Sequence, residues 1–538
     1  MKKTLLALTV LLLGTFSMAQ TEFDAQKLIQ PDIIGTARYM GMAGAFGALG
    51  GDASAIKDNP AGLGIYRSSE ITGTINLQYQ TSNSDWNGNI SNDNLLNLGF
   101  NNLSYILAKP TYISESGNSG LLNSNWSFSY NRIKSFDRNS AISTKNSTSS
   151  ITDYMSYFTG NIPSGNLGSS GNYNPYGNGD ISWISVVGYQ GWLMNETVTK
   201  NGSDSTSSWS SLLSKNEMVS PTFTIQERGA IDEYSIGWAG NFSNNLFIGL
   251  NANLQSVNYS MNSQYKESFG NNDGMTLSNS LSTTGVGINL NLGIIYRPVD
   301  LLRLGFAVHS PTVYGLTDSN SANLDYYINY STIISGNFDT PNYSKSYLMA
   351  TPWKVNASGA FILGQKGLIS AEYVRDFSTS SYFMDDSYSI QNYKEENKGM
   401  KTMLKDVQTI KVGLEYKYTT NWAIRLGYAN MSSGTNPNAD LLLQPTTTRT
   451  DVQYFINNNT NFYTVGIGYR ESSWFMDLAY VNKNVNETFY AYNSFASDFL
   501  TIMQNRFPTE TDTSKLMVKP ANVNTMTNNL VFSIGFKF

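Results

Sequence analysis

The chain has 538 residues, no cysteine, 14% charged and 13% aromatic side chains, with 35 Lys and Arg against 40 Asp and Glu for a net charge of −5. That balance offers no basic surface to nucleic acid, and the lack of Cys excludes disulfides, thiol catalysis and thiolate metal sites. The charged fraction falls well below the ~25% of a soluble domain, yet the mean hydropathy of −0.28 is that of a polar chain.

Lys2 and Lys3 precede the apolar run Leu5 to Leu13 and the small-residue site Ser17-Met18-Ala19. Residues 1–19 therefore read as a secretory signal peptide, because the apolar run is too short to span a bilayer. No Cys follows the cleavage site, so no lipid anchor is expected. No later apolar run is long enough for a membrane-spanning helix.

Residues 20–68 do not alternate. Gly41, Gly44, Gly47 and Gly50 recur at a spacing of three, followed by Asp52-Ala53-Ser54-Ala55-Ile56 and Asn59-Pro60-Ala61-Gly62. Small residues permit close packing, and Asn-Pro with a following Gly is turn chemistry. The segment is expected to form a compact plug, or hatch. It is not a phosphate loop, since the Gly-Lys-Ser/Thr ending is missing.

From residue 69 to 538 the period becomes two. Ile71, Gly73, Ile75, Leu77 and Tyr79 share one face, and Thr72, Thr74, Asn76, Gln78 and Gln80 the other. Val286 to Tyr296, Trp422 to Tyr428 and Leu530 to Phe538 repeat the alternation. Strands that face lipid on one side and a wet lumen on the other produce this weak signal. Tyr, Trp or Phe sits at the ends of the apolar faces, as interfacial girdles require. Gly recurs on the polar face (Gly249, Gly293, Gly305, Gly413, Gly427, Gly466), where it leaves room for a plug or a ligand.

Strands are expected near 70–80, 96–108, 125–135, 230–241, 245–258, 283–297, 301–309, 352–363, 366–377, 407–418, 421–431, 461–470, 473–483 and 527–538. Beyond the third strand, short turns alternate strictly with long loops, and both termini fall on the short-turn side. The fold expected is all-β: a transmembrane antiparallel β-barrel of about fourteen strands with an N-terminal hatch in its lumen. A secreted sandwich or propeller gives no reason for that alternation of connections. The longest loop, 136–229, holds apolar islands at Ile151 to Phe158, Ile181 to Met194 and Trp209 to Leu213. Short helices over the barrel mouth are expected there. Trp183, Trp192 and Trp209 are candidate contacts for a greasy ligand, unless the islands only pack on each other.

Residues Ala37 to Phe46, Asp52 to Ala55 and Asn59-Pro60-Ala61-Gly62-Leu63 resemble the hatch of the FadL/TodX family of outer-membrane long-chain fatty acid and hydrocarbon transporters. Gly41, Gly44, Asp52, Asn59, Pro60, Ala61 and Gly62 carry the likeness. Tyr296-Arg297-Pro298, Gly413-Leu414-Glu415-Tyr416, Arg425-Leu426-Gly427-Tyr428 and Gly466-Ile467-Gly468-Tyr469 extend it along the barrel. The resemblance implies a fourteen-stranded barrel in the outer membrane, passive uptake of hydrophobic molecules, and exit through the barrel wall. The expected sequence of events is capture at the loop islands, transfer to a lumen pocket above the hatch, and rearrangement of residues 20–62.

An anionic head group needs a cation. Parity turns Arg303, Lys411, Arg425 and Arg470 into the lumen. The hairpin turn at 419–421 sets Glu415 opposite Arg425, so Arg425 reads as barrel glue. Arg303 faces Ile295 and is the better clamp, unless the hatch takes it. The partners expected are a hydrophobic small molecule, outer-membrane lipid and lipopolysaccharide, with no nucleic acid, cofactor or metal, and the chain is expected to be a monomer. An enzyme is not expected, because a single histidine, His309, and no G-x-S-x-G elbow accompany the paired carboxylates. Haem binding, a polar-solute porin and a surface adhesin are the alternatives.

Overall fold

The computed structural model describes residues 22–30, 32–111, 120–202, 204–270, 273–329, 332–436, 447–493 and 497–538. The expected signal peptide lies outside them. Fourteen strands form a closed antiparallel barrel. It opens with β1 (Glu70–Trp86), β2 (Asn89–Pro110) and β3 (Leu121–Ser135). A short strand, β4 (Arg138–Ser143), follows and pairs with Ser220–Phe242. The barrel then continues through Leu246–Ser268, Gly274–Val299, Leu302–His309, Lys354–Leu363, Gly367–Asp376, Val407–Lys417, Trp422–Ser432, Tyr454–Arg470 and Trp474–Tyr490. The last strand, Ala521–Lys537, closes the ring on β1, in register from Glu70↔Lys537 to Asp85↔Asn522. All fourteen expected strands are present.

Alternation determines which side each residue faces. On β1 the outward Ile71, Ile75, Leu77 and Tyr79 are exposed, and the inward Thr72, Thr74, Asn76 and Gln78 are buried. A continuous band of exposed Ile, Leu, Phe and Tyr around a closed barrel is a lipid-facing surface, because closure satisfies every ladder hydrogen bond within hydrocarbon.

Several strands run far past the band. Ser220–Phe242 and Leu246–Ser268 each have 23 residues, against about 9–11 needed to cross. Above the band the polarity of the two faces inverts. On Leu246–Ser268, Leu250 and Leu254 point out while Asn251 and Asn253 are buried inside. Further along, Val257, Tyr259 and Met261 are buried inside, and Asn258, Ser260 and Asn262 take the outer side. Water has replaced lipid outside, and an apolar core has replaced the polar lumen inside. This core caps the barrel as a dome.

The islands of loop 136–229 belong to that core. Ile151, Met155, Ile184, Val187, Trp209 and Leu213 are buried in one cluster with Phe489 and Phe499. Their helices are Ile151–Thr159, started by a reciprocal Ser150–Asp153 capping box, and Trp183–Gln190. The islands thus pack mainly on each other, with Trp192 left exposed.

Inside the barrel run α1 (Glu22–Ile29), α2 (Ala37–Gly41) and two 3₁₀ turns, Ser54–Lys57 and Pro60–Ile65. The wall glycines admit them. A β-carbon at Gly293 would overlap Asn59 Oδ1, one at Gly249 would overlap the Pro60–Ala61 peptide, and one at Gly305 the Gly47 carbonyl. Gly413 and Gly427 are filled in the same way by Met42 and Ala43.

Candidate transport site

The hatch motif residues hold the hatch to itself and to the wall. Asn59 Nδ2 donates to the Gly47 carbonyl (2.6 Å), and its Oδ1 caps the Ala61 N–H at 3.1 Å. Pro60, in the first turn that follows, has no N–H to lose. Asp52 accepts from Thr36 Oγ1 at 2.8 Å and from the Ser54 N–H at 3.0 Å. Gly62 packs on Gly50, Gly44 takes a positive φ of 73°, and Gly41 backs onto Gly466. Ala61 is buried against Phe247 and Ile295.

The four cations picked by parity all face inward and are engaged. Arg303 Nη1 donates to the hatch carbonyl of Leu49 at 2.7 Å, so the hatch takes it. Lys411 binds Glu372 at 2.8 Å and Asp58 at 3.5 Å. Arg425 bridges Glu415 and Asp477, each at 2.6 Å. The Glu415–Arg425 register is the expected one. Arg470 lies 3.9 Å from Asp477 and stacks on Phe475. These residues anchor the hatch region and do not face the large cavity described next. Trp183 and Trp209 are buried, their indole N–H groups bonded to the Tyr176 and Ile162 carbonyls. Trp192 is 60% exposed on the dome. His309 Nε2 is bonded to the Asp58 carbonyl at 2.9 Å and lies below α1.

Above the hatch and beneath the dome lies a cavity of about 260 Å³. Phe23, Phe136, Phe158, Phe455, Phe462 and Met261 supply its apolar wall. Lys27, Lys134, Arg138 and Lys483 also reach it. Lys27 pairs with Glu227 (2.9 Å), Arg138 with Glu227 and Glu487, and Lys483 with Asp32. Lys134 donates to the Gln30 carbonyl at 2.6 Å, a neutral partner, and lies over the Phe136 ring at 5.6 Å.

Lys134 reaches the lumen through a bulge. The β3 register with Ser220–Phe242 passes from Arg132↔Asp232 to Lys134↔Ile231, so Ile133 is extra and the facing of every later residue flips. Strict parity therefore misplaces Lys134. Lys483 follows the lumen parity of Asp477, Ala479 and Val481, so the period-two signal points to it, although it is not among the lumen cations named from the sequence.

A second bulge faces the first. β2 pairs with β1 from Asn89 to Ile106, with Asn101 as the extra residue. It pairs with β3 only from Asn102 to Pro110. Among the described residues no backbone pair joins β2 to β3 above Asn102. There the chain bends inward into β4, and only side chains close the seam. Asn97 Nδ2 donates to Asp137 (2.5 Å), Asn139 Nδ2 to the Asn94 carbonyl (3.3 Å), and Asn89 Nδ2 to the Ser143 carbonyl (2.8 Å). The outward Leu96, Leu98 and Phe100 beside the seam are exposed, which sets it within the lipid band. A smaller space of about 60 Å³ lies between the cavity and the seam. It shares Asp32, Ser135, Asp137 and Lys483 with the cavity and reaches Asn97, Gly99 and Asn101 of β2.

No family model and no curated protein matches the chain. Among solved structures it is similar to a FadL homologue of Pseudomonas aeruginosa, at 12% identity and TM-score 0.49 over 94% of this chain and 99% of that one. It is similar to the toluene transporter TodX of P. putida at 12% identity and TM-score 0.48, over 94% and 99% of the two chains. The toluene transporter TbuX of Ralstonia pickettii gives 13% identity and TM-score 0.46 over 94% and 99%. On its own hatch motif, and on its own barrel closed around that hatch, the chain resembles the FadL/TodX family of outer-membrane transporters.

Proposed function

We propose that the chain is an outer-membrane channel for passive uptake of hydrophobic or amphipathic small molecules, long-chain fatty acids or aromatic hydrocarbons among them, released sideways into lipid. The observation that carries this reading is the aromatic cavity adjoining a wall seam closed by side chains alone. A greasy solute crosses the polar outer leaflet poorly, and a cavity of Phe and Met offers it an apolar stop. Lys134 gives an anionic head group a charge partner in exchange for the Gln30 carbonyl. From there a way out runs past Asp32 and Ser135 to the seam. Opening the seam costs the five side-chain hydrogen bonds that join β2 to residues 137–143, each worth about 1 kcal/mol net, whereas unseating residues 35–65 would break zero-clearance packing and a buried ion network. Movement is therefore assigned to residues 22–34 and the seam, and the rest of the hatch stays as the seal. The filled lumen also argues against a porin for polar solutes, and near-silent single-channel recordings are expected.

The native chain has no Cys, which permits a clean test. Asn97→Cys with Asp137→Cys should cross-link β2 to the start of β4. Cells carrying the oxidised pair should lose uptake of labelled oleate or toluene, and a reductant should restore it. Unchanged uptake in the cross-linked protein would sink the lateral route.

A further inference from the structure

The strand Val313–Asn329 carries the wall far above the lipid band. One of its sides pairs with Gly274–Val299. On the other side Tyr343–Ala350 pairs with its lower half, and Ile333–Asp339 with its upper end, Asn323–Asn329. Tyr343–Ala350 has a further partner in Tyr382–Met384. Ile333–Asp339 has no second strand among the described residues, so one of its edges is open at the cell surface.

The Thr340 N–H donates to the Ala322 carbonyl at 2.8 Å. By the alternation of an antiparallel ladder, Ile334, Gly336 and Phe338 also bond toward Val313–Asn329, and the backbone groups of Ile333, Ser335, Asn337 and Asp339 point to the open edge. Proteins blunt such a row with Lys, Pro or a bulge. Ile333 to Phe338 contains none of these, and its register is unbroken. The Tyr326 ring lies over Gly336, which holds the residue least suited to a strand.

The two faces beside the edge differ. On the outer face Asp339 stands opposite Asn323 and Asp325 opposite Asn337. Each carboxylate accepts from an Asn amide, at 2.9 and 3.3 Å, and neither joins an ion pair among the described residues. On the inner face Ile334 and Phe338 rest on the dome core and are only partly covered. A second copy in the same membrane stands the same way up. Its edge would run parallel to this one, and pairing would set the apolar inner face of one sheet beside the polar outer face of the other.

We propose that the free edge of Ile333–Asp339 docks an extended segment of another polypeptide, added as an antiparallel strand. Its alternate residues are basic, beside Asp325 and Asp339, and apolar, beside Ile334 and Phe338. This site is independent of the transport reading.

The test uses the full chain in a neutral detergent, with a labelled seven-residue peptide of alternating Val and Lys as the probe. Saturable binding is expected. In the proposed pairing the Lys amides face the edge and the Val amides face away. N-methylation of the Lys amides should therefore weaken binding at least tenfold, and N-methylation of the Val amides should leave it intact. Ser335→Pro removes one outward N–H and no bond to Val313–Asn329, and it should also weaken binding at least tenfold. Heat-modifiable gel mobility checks that the variant is folded. A peptide of alternating Val and Glu should bind more weakly than the Val and Lys peptide. No saturation, equal binding by folded Ser335→Pro, indifference to which amides are methylated, or equal binding of the Glu peptide overturns the proposal. A dimer by light scattering that Ser335→Pro abolishes would give the edge to a second copy and overturn it as well.

Discussion

The backbone N–H of Asp32 donates to the carbonyl of Ile133 at 3.2 Å. Ile133 is the extra residue of the β3 bulge, so the hatch uses the one backbone carbonyl that the bulge takes out of the ladder. Its neighbour Lys134 holds the Gln30 carbonyl, and the Asp32 carboxylate holds Lys483. Hatch, bulge and cavity are thereby one unit. Deleting Ile133 should remove the bulge and the carbonyl that Asp32 uses, leave Lys134 opposite Ile231 on the lumen side, and straighten β3 against the seam. Expected is a folded, heat-modifiable barrel with oleate uptake reduced at least tenfold. Normal uptake by that deletion would separate the bulge from transport.

Much of this frame was legible from alternation. The fourteen strands and the Glu415–Arg425 pair follow from period two and hairpin register, and the role of the wall glycines follows from their place on the lumen face. Two things were not legible. Bulges at Asn101 and Ile133 flip parity, and no local residue pattern announces them, so Lys134 stayed hidden. The outer parts of the strands were read as loops because the lipid signal stops there. The alternation in fact continues with inverted polarity: Phe223 and Ile225 are buried inside, with Thr224 and Gln226 on the other face. Arg303 was readable as inward-facing, but its partner, a backbone carbonyl on a separate segment, has no sequence signature.

The glycine seat predicts how the hatch fails. Gly305→Val would drive a side chain into the Gly47 carbonyl and Ser358. Overpacking of this kind costs about 1–3 kcal/mol, and the hatch can relieve it by lifting. Expected are a larger unitary conductance and greater sensitivity of cells to bulky antibiotics. Gly359→Val, at a site where a β-carbon meets only Leu304 at 3.9 Å, should change neither. Equal leak from both variants would mean the seal does not depend on close approach.

Arg425 is 1% exposed and holds Glu415 and Asp477, while Glu415 also receives Arg38 of α2 at 2.9 Å. Arg425→Met removes the hydrogen-bonded partner of Asp477 and leaves it only the more distant Arg470 at 3.9 Å among the described residues. Breaking a buried pair from one side costs about 3–5 kcal/mol, so the temperature at which the barrel loses its folded gel mobility should fall clearly. Arg425→Lys should recover little, since one ammonium cannot replace the two-sided fork. Full recovery by Lys would show that charge alone is needed there.

Asp153, in the dome helix Ile151–Thr159, supplies a pH dependence outside the membrane. Burial pushes its carboxyl up to about 6 from 3.8, against the pull of Arg506 at 3.0 Å and the Ser150 N–H. The unfolded chain releases this proton near 3.8 and the folded dome near 6, so between those values the folded state binds more protons. Its stabilising effect is complete below 3.8 and is lost as pH rises through 6. At about 1.4 kcal/mol per pKa unit, the full swing is about 3 kcal/mol. Amide exchange in this helix, corrected for intrinsic rates, should therefore show greater protection near pH 5 than near pH 7. Asp153→Asn should flatten that slope and keep the cap on the Ser150 turn through its side-chain oxygen. An unchanged slope in Asp153→Asn would assign the titration to a neighbour, with Glu267, which accepts from the Ile151 N–H at 3.1 Å, the next group to replace.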